Sequence, residues 1–472
     1  MDKKLIENLG KVRRTDSNRA ESVTRVHLAG RKTARERLQA LLDADSAVEY
    51  GAIAGRTPDG DWVPETGGVD FVGTVDGHPV VASSTDYTDQ GGGYGAGRLG
   101  RLFALAHEHR WPVVLFADGG GSRARHPRVG MGHIEFSGPI GRFTIIDGNA
   151  ELSGWVPTVA IVSGPSFAGH ASIAAFSDCL IATAGSSIGL GGPPMVEAAL
   201  GVRISASELA GVEMHETGGG IDLLVDDDDA AIRAARDYLS YYWDRESGEV
   251  SPTAAGIDAL VPDQGAYDMA RVIAALVDAG SVFELRPRFA PALITMLARI
   301  NGRTIGVMAN QPMVDDGVIS NDAASKISRF IELCDAYEYP ILALIDTPGC
   351  VSTWQKKNQP TVTEAIVTRW HSRPIIAHQH RSVPLFSIQV RRAGGLAPTL
   401  MTGYSSAEGT PALCLAWPTM EIAADGFSAM KYSHAIDDVV APSETREKIS
   451  RLLRHLPRKL DRAEKKHPID TW

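Results

Sequence analysis

Short apolar runs rich in β-branched side chains recur along the chain, each bounded by glycine, proline, serine or aspartate. Such runs predict buried strands. Val159–Val162 is one of them; the Gly/Pro/Ser cluster within Ser163–His170 then predicts a tight turn, and the small residues of Ala171–Phe176 predict the start of a helix packed closely behind it. The pattern returns at Pro384–Val390, followed by Arg391–Arg392–Ala393–Gly394–Gly395–Leu396–Ala397. A strand, a glycine turn and a helix leave free N–H groups at the helix start. Those donors, with the helix dipole behind them, favour negative charge. At a thioester carbonyl they would stabilise an enolate or oxyanion.

The neighbouring elements recur in the same order. Asp76–Gly77 lies between Val69–Val75 and Val80–Ser83, and Asn301–Gly302 lies between Leu297–Ile300 and Thr304–Met308. Both predict a hairpin with a two-residue turn. Trp111–Asp118 matches Tyr339–Asp346, Gly192–Glu197 matches Trp417–Glu421, and each half closes with Ile–Asp (Ile221–Asp222, Ile436–Asp437) before a helical run. Pro157 and Pro384 are offset by 227 residues. Matching order and near-equal spacing predict two copies of one α/β domain, residues 1–250 and 251–472, joined by a Gly/Ser/Pro/Asp linker over 244–265.

Composition adds limits. At 472 residues, 44% hydrophobic and 22% charged, the chain is an ordinary multidomain globular protein. A net charge of −10 speaks against nucleic-acid binding. A polyanionic substrate would need a local basic patch. The four cysteines are scattered without a CxxC pair, which fits a reducing cytoplasm and neither a disulfide framework nor a zinc ribbon. The apolar runs are strand-sized, and Met1–Lys4 opens no signal peptide, so no membrane association is expected.

Several motifs carry candidate chemistry. Gly95–Gly100 matches GxGxxG, with Asp118 18 residues beyond. The preceding strand, near Val80–Ser83, ends too early for a dinucleotide turn. Asp118–Gly119–Gly120–Gly121–Ser122–Arg123 follows a strand and lets a ligand approach the backbone. Arg123, Arg125 and Arg128 are candidate phosphate partners, or else form a solvated basic loop. Gly164–Ala168 is one residue short of a nucleophile elbow, which would make Ser166 a nucleophile. Pro165 and the small residues suit a backbone oxyanion site better. His170 is either a general acid or base or a structural histidine. His371, His378 and His380 crowd one segment without a carboxylate pattern, which points to a surface role and no metal. Asp226–Asp229 is expected to cap the next helix. Thr33 and Glu36 have capping-box spacing before Leu38, Leu41 and Leu42.

Four segments carry a family resemblance: Gly30–Arg31–Lys32–Thr33–Ala34–Arg35–Glu36–Arg37–Leu38, Ala309–Asn310–Gln311–Pro312, Asp346–Thr347–Pro348–Gly349, and Ala416–Trp417–Pro418–Thr419 with Glu421. The chain resembles the β-type carboxyltransferase subunits of biotin-dependent acyl-CoA carboxylases from about Gly30 to His467. The resemblance implies two tandem crotonase-like (ClpP/crotonase) β-β-α superhelix domains related by internal duplication. It makes the N-terminal domain the acyl-CoA side and the C-terminal domain the biotin side. The implied reaction moves CO2 from carboxybiotin, on a separate carrier protein, to the α-carbon of a coenzyme A thioester.

By the same resemblance, backbone amides of Ala168 and Gly169 form the first oxyanion site, beside His170. Gly395 and Leu396, after Gly394, form the second. The glycine turn with Arg98 and Arg101, the Gly119–Gly121 turn with Arg123, and the Gly191–Gly192 loop wall the acyl-CoA site. A homo-oligomer (dimer or hexamer) with biotin carboxylase and biotin carboxyl carrier protein as partners follows. Three departures fall in the C-terminal half: glycine at 394 where the family has an aromatic, the unusual stretch Cys350–Pro360, and only 15 residues from Glu421 to Ile436. They leave a second reading open, a biotin-independent decarboxylase, acyl-transfer or C–C-cleaving enzyme on the same scaffold.

Overall fold

The dipeptides Asp76–Gly77 and Asn301–Gly302 each close an antiparallel hairpin in the computed structural model of the chain. The structure describes residues 3, 7, 20–51, 55–56, 63–64, 67–88, 92, 96–120, 145–243, 255–350, 363–403, 411–421, 436–457 and 462–471. The chain divides into two units, Met1–Ser240 and Tyr241–Asp470. The linker position near residue 250 lies outside the described residues.

The main strands of the first unit are β1 (Val48–Tyr50), β2 (Gly68–Val75), β3 (His78–Thr85), β4 (Val113–Phe116), β5 (Thr158–Val162), β6 (Pro165–Phe167), β7 (Cys179–Thr183), β8 (Ser187–Gly189) and β9 (Leu223–Val225). Seven form one sheet in the order β1-β2-β3-β4-β5-β7-β9, while β6 and β8 pair in a parallel ribbon. The second unit has β10 (Phe283–Glu284), β11 (Leu293–Ile300), β12 (Arg303–Asn310), β13 (Ile341–Thr347), β14 (Leu385–Ala393), β15 (Leu413–Ala416) and β16 (Asp438–Val439), ordered β10 to β16 across one sheet. Both sheets begin with two antiparallel pairings and continue with parallel ones. The central parallel strands β4, β5, β7 and β13 are buried at every position, which explains their continuous apolar runs.

The matching extends to side chains. Asp76 (φ 50°) and Gly77 (φ 80°) adopt the left-handed conformations of a type I′ turn, as do Asn301 (φ 52°) and Gly302 (φ 76°). Asp43 accepts the N–H groups of Asp76 (3.1 Å) and Gly77 (2.8 Å), and Asp278 accepts those of Asn301 (3.0 Å) and Gly302 (2.8 Å). An arginine from each closing helix completes the arrangement: Arg236 of α1 (Asp228–Ser240) on Asp43, and Arg446 of α2 (Pro442–His455) on Asp278. The repeated Ile–Asp also has a structural reason. Asp222 accepts the Leu180 N–H (2.8 Å) and Asp437 that of Cys414 (2.7 Å), each fixing the next parallel strand.

The Thr33 capping box forms, with Thr33 N–H donating to Glu36 Oε2 at 2.7 Å, and Leu38, Leu41 and Leu42 are buried beneath it. Asp227 caps the closing helix of the first unit through the Ala230 N–H (2.8 Å). Trp417 is a core residue, its indole N–H donating to Thr445 Oγ1 at 2.9 Å.

The histidine segment is not a surface feature. It forms the helix Thr363–His380, in which His371 and His378 are buried and only His380 is exposed. Arg381 Nε donates to His378 Nδ1 at 3.3 Å, so His378 Nε2 carries the proton it gives to the Leu400 carbonyl (3.2 Å). Burial first, and then the Arg381 charge, lowers the His378 pKa to about 3. The unfolded chain therefore binds a proton near pH 6.5 that the folded chain refuses. Stability from this residue is complete above pH 6.5 and is lost as the pH falls toward 3, with a slope of up to about 1.4 kcal/mol per unit. His378→Gln is accordingly expected to flatten the loss of urea midpoint between pH 7 and pH 5. An unchanged slope would show that other groups carry the acid sensitivity.

Candidate active site

Asp118 lies two residues beyond the end of strand β4, and the adjacent strand β5 is followed by the Ser163–Gly164 turn that leads into β6. Asp118 is fully buried; its Oδ1 accepts the N–H groups of Ser163 (2.8 Å) and Gly164 (3.1 Å). Beside it, Gly119 N–H donates to Pro165 O (2.6 Å) and Phe167 N–H to Gly119 O (2.9 Å). The chain then passes through Ala168 (φ 55°, ψ −124°) into the helix Gly169–Ala175. That backbone conformation suits glycine, and alanine holds it at a strain of about 1–3 kcal/mol.

The structure corrects one expected donor. Ala168 N–H already donates to Gly189 O at 3.1 Å. The next amide, that of Gly169, has no acceptor among the described residues. Gly169 is exposed, and a Cβ there would meet nothing within 4 Å. Ala168 thus sets the direction of the turn, and Gly169 carries the available N–H. His170 is buried with its ring against Gly119, where any Cβ would collide with the imidazole. Burial lowers its pKa, opposed by a hydrogen bond to the Phe167 backbone and by Asp118, so the ring is neutral at pH 7. Ser166 is fully buried within β6, which removes it as an accessible nucleophile.

The β6–β8 ribbon brings the second glycine loop to the same turn, since Ser187–Gly189 pair with Pro165–Phe167 and Gly191–Gly192 follow directly. Gly120, next to Gly119, is exposed. Gly121, Arg123, Arg125, Arg128 and the Arg98 side chain lie outside the described residues; Arg101 stacks over Tyr50, 5.3 Å from the ring centre.

The second unit repeats the construction. Asp346, fully buried near the end of β13, binds Arg391 (3.1 Å), Arg392 Nε (2.7 Å) and the Tyr267 hydroxyl (2.9 Å). Burial, and then the Asp346 charge, keeps Tyr267 protonated. Gly394 N–H donates to Thr347 O at 3.0 Å, as Phe167 does to Gly119. Gly395 follows with φ 55°, the same value as Ala168. The amides of Gly395 and Leu396 have no acceptor among the described residues, and Leu396 is exposed. Gly394 is there for a reason: a Cβ would run into the Pro348 carbonyl. The aromatic expected at this position would not fit against this loop. The stretch 351–360 lies outside the described residues.

Among the described residues no cluster of His, Cys, Asp or Glu is arranged to hold a metal ion, and no helix is long and apolar enough to cross a membrane. Residue-by-residue reading missed Arg31, Arg37, Tyr267 and Asn310 as contributors to the turns. The role of Arg31, Arg37 and Tyr267 shows only through carboxylate partners distant in sequence, Asp118 and Asp346, and that of Asn310 through the Asp346 N–H that its Oδ1 accepts at 3.2 Å.

Two sheets of crotonase-like order, each leading into a left-handed turn before a helix, make a carboxyltransferase-type scaffold. The chain belongs to the carboxyl transferase domain family, whose pattern matches residues 25–466. It is 31% identical to the methylmalonyl-CoA carboxyltransferase 12S subunit of Propionibacterium freudenreichii subsp. shermanii, over 94% of this chain and 92% of that protein. It is also 31% identical to the propionyl-CoA carboxylase beta chain of Saccharopolyspora erythraea, over 86% and 76% respectively. A solved transcarboxylase 12S structure, described as a hexamer with methylmalonyl-coenzyme A and methylmalonic acid bound, superposes with a TM-score of 0.82 at 28% identity, covering 97% of this chain and 98% of that one.

The turn geometry makes opposite demands at neighbouring positions of the two turns, Ala168 at the left-handed position of the first and Gly394 just before that of the second. Ala168→Gly is expected to hold or raise the thermal midpoint by relieving left-handed strain. Gly394→Ala is expected to lose about 1–3 kcal/mol through overpacking against Pro348. Thermal unfolding of the two variants checks both; equal effects would mean that neither contact is tight.

Proposed function

We propose that this enzyme transfers CO2 from carboxybiotin, presented by a separate biotin carboxyl carrier protein, to the α-carbon of a short-chain acyl-CoA. The supporting observation is the doubled turn: φ 55° at Ala168 and at Gly395, each followed by amides with no acceptor among the described residues. The names of the relatives, which act on methylmalonyl- or propionyl-CoA, supply the substrate class.

In this reading the first unit holds the acyl-CoA. The thioester oxygen lies at Gly169 N–H, whose donation strengthens as the α-carbon gives up its proton and the oxygen becomes negative. One such donor contributes ~3–4 kcal/mol to a transition state. The open space over Gly169 admits the carbonyl. His170, held neutral beside that turn, is assigned proton handling at the same oxygen or carbon. Gly119, Gly120, Gly191 and Gly192 form the close-approach walls.

The second unit is assigned to biotin. A Cβ at Gly395 would meet nothing within 4 Å, so the residues leave room for a carbonyl oxygen there. The amides of Gly395 and Leu396 would hold the ureido oxygen, and the bound group would supply the activated CO2. Bound there, carboxybiotin would supply CO2 by cleavage of its N–CO2 bond; the CO2 would add to the acyl α-carbon and the α-proton would replace it on the ureido nitrogen. Biotin carboxylase and the carrier protein are the partners of this scheme, and a homo-oligomer, in keeping with the hexameric relative, is the expected assembly.

The test is a coupled assay with biotin carboxylase, biotinylated carrier, ATP, bicarbonate and a panel of acyl-CoAs. Carrier-dependent carboxylation is expected, reduced about a hundredfold or more by Gly169→Val or Gly395→Val, with His170→Asn lowering kcat at a similar KM. Turnover that ignores the carrier and Gly395 but needs Gly169 and His170 would replace this reading with a biotin-independent acyl-CoA enzyme.

A further inference from the structure

The first oxyanion turn is tied to a distant part of the chain through one buried ion pair. Arg37, on the helix Ala34–Leu41, is buried and places Nη2 2.9 Å from Asp118 Oδ2 and Nε 3.3 Å from Asp228 Oδ2. Burial opposes its charge, but Asp118 and Asp228 outweigh the burial and raise its pKa. Arg31 adds a second guanidinium 3.9 Å from the same Asp118 oxygen and stacks over Tyr87. It lies so close over Gly164 that a Cβ at that position would collide with it. The other Asp118 oxygen accepts the two turn amides of Ser163 and Gly164. Arg37 therefore fixes Asp118, Asp118 fixes the turn, and the turn sets where Ala168 and Gly169 emerge.

We propose that Arg37 and Asp118 are positioning residues for the Gly169 amide. They touch no substrate and act by holding the entry to the oxyanion turn in register. The second unit supplies an internal comparison. Its equivalent carboxylate, Asp346, is neutralised by Arg391 and Arg392 of the adjoining strand itself. Among the described residues the first turn has no such arginine on its adjoining strand and takes one from the N-terminal segment, Arg37. Asp228 orients the far side of Arg37 and also accepts the Lys32 N–H (2.7 Å), so the segment is anchored at both ends of the guanidinium.

The inference rests on the oxyanion role given to Gly169, so its test has one readout independent of catalysis. Amide hydrogen exchange over residues 163–171 and steady-state kinetics in the coupled assay would be measured for wild type, Arg37→Gln, Arg37→Lys, Asp118→Asn and the milder Asp228→Asn. Arg236→Gln is the control, since it removes a similar arginine from the Asp43 hairpin turn of the same unit. The expected result is faster exchange over 163–171 in the Arg37 and Asp118 variants and not in Arg236→Gln. With it comes a fall in kcat of about tenfold or more at an acyl-CoA KM within about threefold, because a misplaced donor weakens the transition state more than binding. Should Arg37→Gln or Asp118→Asn fail to fold, Arg37→Lys and Asp228→Asn carry the same comparison. Exchange over 163–171 equal to wild type, or changes matched by Arg236→Gln, would overturn the proposal. Faster exchange confined to the Arg37, Asp118 and Asp228 variants, in a protein whose wild type transfers no CO2, would uphold the positioning role and reject the carboxyltransferase reading alone.

Discussion

A carboxylate that captures consecutive turn amides is the interaction on which both units depend. Two successive N–H groups of a tight turn converge on one side and need an acceptor when the turn is covered by other chain segments. A carboxylate satisfies both at once, and charge-assisted bonds are stronger than those to a neutral oxygen. Asp43 and Asp278 do this at the hairpins, and Asp118 does it at the first strand-to-helix turn. Asp118, fully buried, needs a cation, because an uncompensated buried carboxylate would destabilise the fold by several kcal/mol; Asp43 and Asp278 are only partly buried. Arginine serves in every case, and its planar fork lets it bind a second group: Asp76 at the first hairpin and Asp228 at the first strand-to-helix turn.

That arrangement bears on chemistry because catalysis by backbone amides depends on where they already point. An N–H donor fixed before the substrate arrives loses nothing to reorganisation when charge develops on the oxygen. The strain at Ala168 has the same sense. A non-glycine residue at φ 55° persists only where its surroundings over-determine it, here the Ala168 N–H bond to Gly189 on one side and the Asp118 anchor on the other. The turn is rigid because several independent bonds agree about its path.

The sequence was most legible where local chemistry alone decides structure. Asp76–Gly77 and Asn301–Gly302 announce their turns because few other residues tolerate two left-handed conformations in a row. The central strands announce themselves through continuous apolar runs. The pairing of Ala168–Gly169 with Gly395–Leu396 came from the family resemblance, and Ala168 and Gly395 share φ 55°. Long-range polar pairing was far less legible. Nothing local shows that Arg37 meets Asp118 and Asp228, or that His378 is buried between Arg381 and Leu400. Three histidines in one segment looked polar enough for the surface, yet a neutral imidazole with both nitrogens bonded is compatible with a core. The Ala168 amide was misjudged for the same reason: its acceptor, Gly189, arrives through the ribbon of β6 and β8, which no periodicity predicts.

The two turns share a frame but differ in what surrounds them, and the differences run in opposite directions. In the first unit the residue before the left-handed position is Phe167, buried beneath Gly189 and Gly192; in the second it is Gly394, whose missing side chain lets the Pro348 carbonyl close in. After the strained position the first unit has Gly169, open above its amide, whereas the second has Leu396, whose exposed side chain stands next to the donor. A duplicated fold thus fixes where two amides emerge, while single residues on either side decide what may approach each of them. The carboxylate anchors can stay common to both units because they act on backbone. In the proposed reading, selectivity then falls to the side chains that differ, Phe167 against Gly394 and Gly169 against Leu396.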